Sequence, residues 1–120
     1  MAKSLADYLG SNAIENDNLI TVSLSELYFS IFPEATEAYS YSGNPDELVS
    51  ILVAGIHARC KPQFDENGLD VTPNTTAVVA AQSFQPKTFQ LRGDKPQVRH
   101  EFVFNIYTED NTAFNPVNAV

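Results

Sequence analysis

The clearest alternation of apolar and polar positions runs through VRHEFVFNIY, Val98 to Tyr107. Val98, His100, Phe102, Phe104 and Ile106 fall on one side of an extended chain, and Arg99, Glu101, Val103, Asn105 and Tyr107 on the other, which predicts a strand with one core-like face. Upstream, Thr76 to Phe84 reads as a strand, Gln85-Pro86-Lys87 as a turn, Thr88 to Leu91 as a returning strand and Gly93 to Gln97 as a loop. Together these segments predict an antiparallel meander.

Helical spacing appears earlier. Asn44-Pro45-Asp46-Glu47 is a helix start, with Asn as cap, Pro at the first helical position and acids facing the positive end of the dipole. Leu48, Ile51, Leu52, Gly55, Ile56 and Arg59 trace one face, Glu47, Ser50, Ala54, His57 and Lys61 a weakly polar one, and Pro62 follows. The expectation is a helix from Pro45 to Cys60. The β-branched Val49, Ile51, Val53 and Ile56 leave a buried strand as the alternative. Leu19 to Phe32 carries both periods: Ile20, Val22 and Leu24 alternate, then Leu24, Leu27, Tyr28 and Ile31 recur at helical intervals behind a Ser23/Glu26 capping spacing. A short strand leading into a short helix is expected, with one continuous strand as the competing reading. Ser4 to Leu9 forms a single helical turn with Asp7 three residues after Ser4. So short a turn must dock on the domain or reach a neighbour. Gly10 to Asn18 is a polar connector, and Pro62 to Asn74 a loop.

These elements sum to an α+β chain. The expected architecture is a small antiparallel meander or sandwich packed with one or two short helices, as a single domain with an N-terminal arm (1–18), a core (19–107) and a C-terminal arm (108–120). With 120 residues, 43% of them hydrophobic, the chain is long enough to bury a core without disulfides or metal. No segment approaches the apolar length of a spanning helix, and MAKSLADYLG lacks the apolar stretch of a signal peptide, so no membrane is expected and the expected compartment is the cytoplasm or a particle assembled there. The net charge is −8. The bases Lys87, Arg92, Lys95 and Arg99 are interrupted by Asp94 and Glu101, which speaks against nucleic acid.

Candidate chemistry is sparse. His57, Cys60 and His100 are the soft metal ligands, without HxxxH or CxxC spacing, so satisfied or solvent-facing histidines and a buried small Cys60 are expected. Asp65, Glu66 and Asp70 around Gly68 miss the calcium-loop spacing, and Asn74-Thr75-Thr76 is a sequon without a secretory signal. Arg92-Gly93-Asp94 matches an adhesion tripeptide, yet Gly93 has an ordinary role in a turn. No nucleophile elbow or phosphate-cradling loop occurs. No cofactor, metal or catalytic residue is assigned; an enzyme would have to assemble its site by folding, around His57 or His100.

The acidic, β-rich character, the short N-terminal segment, and the polar tail ending FNPVNAV resemble the small capsid decoration, or cement, proteins of tailed bacteriophages. That resemblance implies a virion structural protein, assembled in the host cytoplasm. It would bind the outside of a shell of major capsid protein as a dimer or trimer and link neighbouring capsomers. Its contacts are expected from the terminal arms, through Leu5, Tyr8, Leu9, Phe114, Val117 and Val120. A neck or tail-completion protein is the nearby alternative, and a small ligand-binding domain or enzyme the distant one.

Overall fold

A computed structural model describes residues 4–60, 79–82, 86–107 and 113–118. The order is α1 (Leu5–Leu9), β1 (Ile14–Asn16), β2 (Leu19–Thr21), α2 (Leu24–Ile31), α3 (Pro45–Cys60), β3 (Val79–Ala81), β4 (Lys87–Arg92), β5 (Lys95–His100) and β6 (Phe104–Ile106), followed by a 3-10 turn at Pro116–Asn118. The class is α+β, with short helices and small antiparallel sheets.

The helices begin where the sequence places their caps. Ser4 Oγ accepts from Asp7 N at 3.3 Å while Asp7 Oδ2 accepts from Ser4 N at 2.7 Å, a complete capping box. Ser23 caps α2 by accepting from Glu26 N, but Glu26 does not reach back. Its carboxylate instead accepts from Ser11 Oγ at 3.1 Å and Asn12 N at 2.9 Å, pinning the connector to α2. Asn44 Oδ1 accepts from Asp46 N at 3.0 Å and starts α3, whose span of Pro45–Cys60 agrees with the helical reading.

Packing centres on α3. Leu27 of α2 is fully buried, and it meets α3 at Gly55, where a Cβ would lie 2.7 Å from Leu27 Cβ. Arg59 joins three helices: Nε donates to Asp7 O at 3.2 Å, Nη2 to Ala6 O at 2.9 Å and Nη1 to Ser30 Oγ at 2.9 Å. The carbonyls at the end of α1 thereby gain a cationic donor, and the set contributes on the order of 2 kcal/mol. On the other side of α3, His57 is buried, 2% exposed, with the Phe102 and Phe104 rings edge-on to it at 5.2 and 5.5 Å. The weakly polar face expected to carry His57 is therefore partly core. Cys60 is fully buried, as are Ala80 and Ala81 of β3.

The strands depart from the meander. β3 pairs with β6, Ala81 opposite Phe104, and β4 pairs with β5, so one hairpin is inserted between the strands of the other pair. The expected strand over Val98 to Tyr107 is interrupted at Glu101–Val103. There Glu101 N donates to Pro86 O at 2.9 Å, closing the root of the β4–β5 hairpin, and Gln82 N donates to Val103 O at 3.1 Å, extending the β3–β6 pair. Alternation fixes which face a side chain takes but not which strand it pairs with. The loop expected at Gly93 to Gln97 contracts to a two-residue turn at Gly93-Asp94, with Gly93 at φ 65°. The connector Gly10 to Asn18 also hides a strand, β1, which pairs with the strand expected from Leu19. β1 and β2 pair across a turn at Asp17-Asn18, Asp17 taking φ 55°.

Candidate functional site

The β4–β5 ribbon is six residues a side, about 20 Å long at strand rise. Its register pairs Phe89 with Val98, Leu91 with Pro96 and Lys87 with His100 on one face, and Thr88 with Arg99, Gln90 with Gln97 and Arg92 with Lys95 on the other. One face is apolar and the other polar and basic. Among the described residues the apolar face lies open: Phe89 is 76% exposed, Leu91 74% and Val98 38%. A two-stranded ribbon without a packed face is marginal in water, because the backbone ladder alone does not offset the ordering entropy.

A second apolar surface lies between α2 and α3. Tyr28, Ile31, Phe32, Ile51 and Ala54, with Phe102 beyond β5, line a groove of about 690 Å3. Its aromatic wall is ordered by Tyr28, which stacks on Tyr39 at 4.7 Å and packs against Phe29 and Phe32 at 5.4 and 5.1 Å. Glu47 stands at its edge. The Glu47 carboxylate accepts from Tyr39 OH, from Ser42 Oγ at 2.8 Å and from Ser42 N at 3.3 Å. The Tyr39 bond foremost, then those from Ser42, holds Glu47 below its ordinary pKa, so the groove carries a fixed negative charge. Partial burial, and then the same carboxylate, pushes the Tyr39 phenol up to about 12.

The sign of the resulting pH dependence follows. A depressed carboxylate pKa adds stability above the unfolded value, near 4.5, and this is lost as pH falls through the lower folded value. The raised Tyr39 pKa adds stability below 10, lost as pH climbs towards about 12. Wild type should therefore exceed Tyr39→Phe in urea midpoint at neutral pH, with the gap narrowing below pH 4.5. A gap that stays constant down to full carboxylate protonation would show that the Tyr39–Glu47 bond does not contribute.

The residues expected at an interface divide. Leu5, Tyr8 and Leu9 are half-buried on α1, which packs against α3, and partial burial raises the Tyr8 phenol. The N-terminal turn is thus docked on its own chain. Phe114 and Val117 are exposed, 65% and 87%, while Val120 lies outside the described residues. His57 sits in the core against Phe102 and Phe104, and His100 sits at the ribbon root, where it lines the α2–α3 groove. Among the described residues no cluster of three or more His, Cys, Asp or Glu is placed to hold a metal ion. Asp65, Glu66, Asp70 and the Asn74 sequon fall outside those residues. Arg92-Gly93-Asp94 forms the tip of the ribbon, where the positive φ of Gly93 accounts for its glycine. No described helix is long and apolar enough to cross a membrane. Sequence reasoning missed Phe89 and Leu91; the signal available was their alternation with Thr88, Gln90 and Arg92 in a segment holding four of the seven bases. The chain matches no protein-family model, no curated protein and no solved structure.

Proposed function

We propose that this chain is a non-catalytic structural subunit of a virus particle, decorating the outside of a capsid shell and strengthening contacts between neighbouring capsomers. The observation that carries the reading is the ribbon: an ordered apolar strand pair with one face open, on a small acidic body. Such an element gains stability when a partner covers it, and many weak contacts of this kind add up over a lattice. Placement of His57 against Phe102 and Phe104, inside the core, agrees with a packing role for this buried histidine. The exposed Phe114 and Val117 provide a second adhesive segment.

A neck or tail-completion ring is the second reading, favoured by a specific asymmetry. The apolar ribbon and the apolar groove are different surfaces, and a contact between unlike surfaces gives a ring where the rotation closes. Copy number separates the two. Purified particles carrying on the order of hundreds of copies would support decoration, while about a dozen or fewer would support a ring. Failure to cosediment with particles at all would sink both.

A further inference from the structure

Two uncovered apolar surfaces on one small chain carry opposite charge. The ribbon holds Lys87, Arg92, Lys95 and Arg99 against Asp94 alone, whereas residues 1–60 carry eight carboxylates against Lys3 and Arg59. Within that acidic body, Glu47 lines the α2–α3 groove and Glu34 borders the adjoining hollow, which shares Tyr28, Ile31 and Phe32 with it. Asp46 begins the same helix at the exposed end. The ribbon does not occupy its own groove. It leaves from the groove's rim at His100, and its Phe89 and Leu91 remain about three-quarters exposed.

We propose that the groove is the receptor for the ribbon of a second copy, so that copies join head to tail. This rests on the assembly reading above and names the partner of the same ribbon. Phe89, Leu91 and Val98 would enter between Tyr28, Phe32 and Ile51 of the next copy. Lys87, on the apolar face, and the paired Arg92 and Lys95 beside the tip would meet the carboxylates of the rim. The Arg99–Glu101 pair is exposed on both sides and is easily exchanged for such a contact. Charge favours this geometry over ribbon against ribbon, which would bring together two segments of like net charge, with Lys87 of each copy on the shared face. Because donor and receptor surfaces differ, each copy keeps one of each free until a ring closes.

Mixing variants tests this. Phe89→Ser with Leu91→Ser spoils the ribbon but leaves the groove, and both residues are too exposed to matter for folding. Ser50→Arg puts a cation into the groove from an exposed helix position and leaves the ribbon. Circular dichroism melts confirm that each variant folds. By sedimentation velocity, wild type is expected to self-associate, with affinity falling on the order of tenfold from about 50 to about 500 mM salt. Each variant alone is expected to be monomeric, and their mixture to form a one-to-one dimer that grows no further.

Monomeric wild type at every concentration overturns the proposal. Self-association by Ser50→Arg alone overturns it in favour of ribbon against ribbon. Retention of a single-stranded oligonucleotide by wild-type chain that does not self-associate overturns it in favour of nucleic acid. A monomer in solution that still coats particles removes only the ribbon-to-groove contact; a head-to-tail dimer absent from particles supports that contact and removes the virion reading.

Discussion

Gly55→Val is expected to lower stability by about 3 to 4 kcal/mol, although intrinsic helix propensity ranks valine above glycine. The sign is set by the α2–α3 contact. A Cβ at Gly55 meets Leu27 Cβ at 2.7 Å, Leu27 Cδ2 at 3.1 Å and the Leu27 carbonyl oxygen at 3.1 Å. A flexible side-chain end can rotate away, but a Cβ and a carbonyl move only with their helix. Valine adds two methyls to that clash, so α2 must lift from α3 and Leu27, fully buried, loses part of its packing. Urea unfolding of wild type, Gly55→Ala and Gly55→Val should give a graded series, with alanine about 1 to 2 kcal/mol below wild type. A stabilised alanine variant would mean that the helices are farther apart than described.

Phe104→Ala is expected to cost about 3 kcal/mol, and Phe89→Ala close to nothing. Both phenylalanines sit in alternating segments, and they differ in what covers them. Phe104 pairs across the sheet with the fully buried Ala81 and makes a T-shaped ring contact with His57, at 5.5 Å and 89°. Phe89 lies on the open face of the ribbon. Truncating Phe104 opens a cavity against α3, whereas truncating Phe89 removes surface already wet. Equal effects in dilute urea titrations would contradict this division of the strands between core and ribbon.

Local signals carried most of the helical structure. Ser4 with Asp7, Ser23, and Asn44-Pro45 are self-contained instructions whose hydrogen bonds form within a few residues, and α1, α2 and α3 start where they indicate. Strand pairing depends on distant partners. Val98 to Tyr107 has one unbroken phase, yet its two ends join different strands, and nothing in alternation marks the switch near Glu101. The β1–β2 hairpin was illegible because Ile14 stands among polar residues and its turn uses Asp17-Asn18 rather than a glycine. At the candidate site, the four bases looked diluted by Asp94 and Glu101 in linear order. Register sets Asp94 in the turn and pairs Arg92 with Lys95 across it, while Arg99 stays paired with Glu101. The groove joins Tyr28 to residues of α3 and to Phe102, a proximity created by folding that no local spacing expresses.

The dependence of α1 on Arg59 also bears on how the chain is made. The five-residue helix is far below the length that stands alone, and its Ala6 carbonyl waits for a donor 53 positions downstream. At translation rates of about 5 to 20 residues per second, roughly 3 to 10 seconds separate the synthesis of the two ends of that bond. During that interval α1 has no Arg59 to dock on. The α1 turn is made well before its partner and is among the last elements to be settled, so nascent chains should be clipped at α1 before the body resists protease.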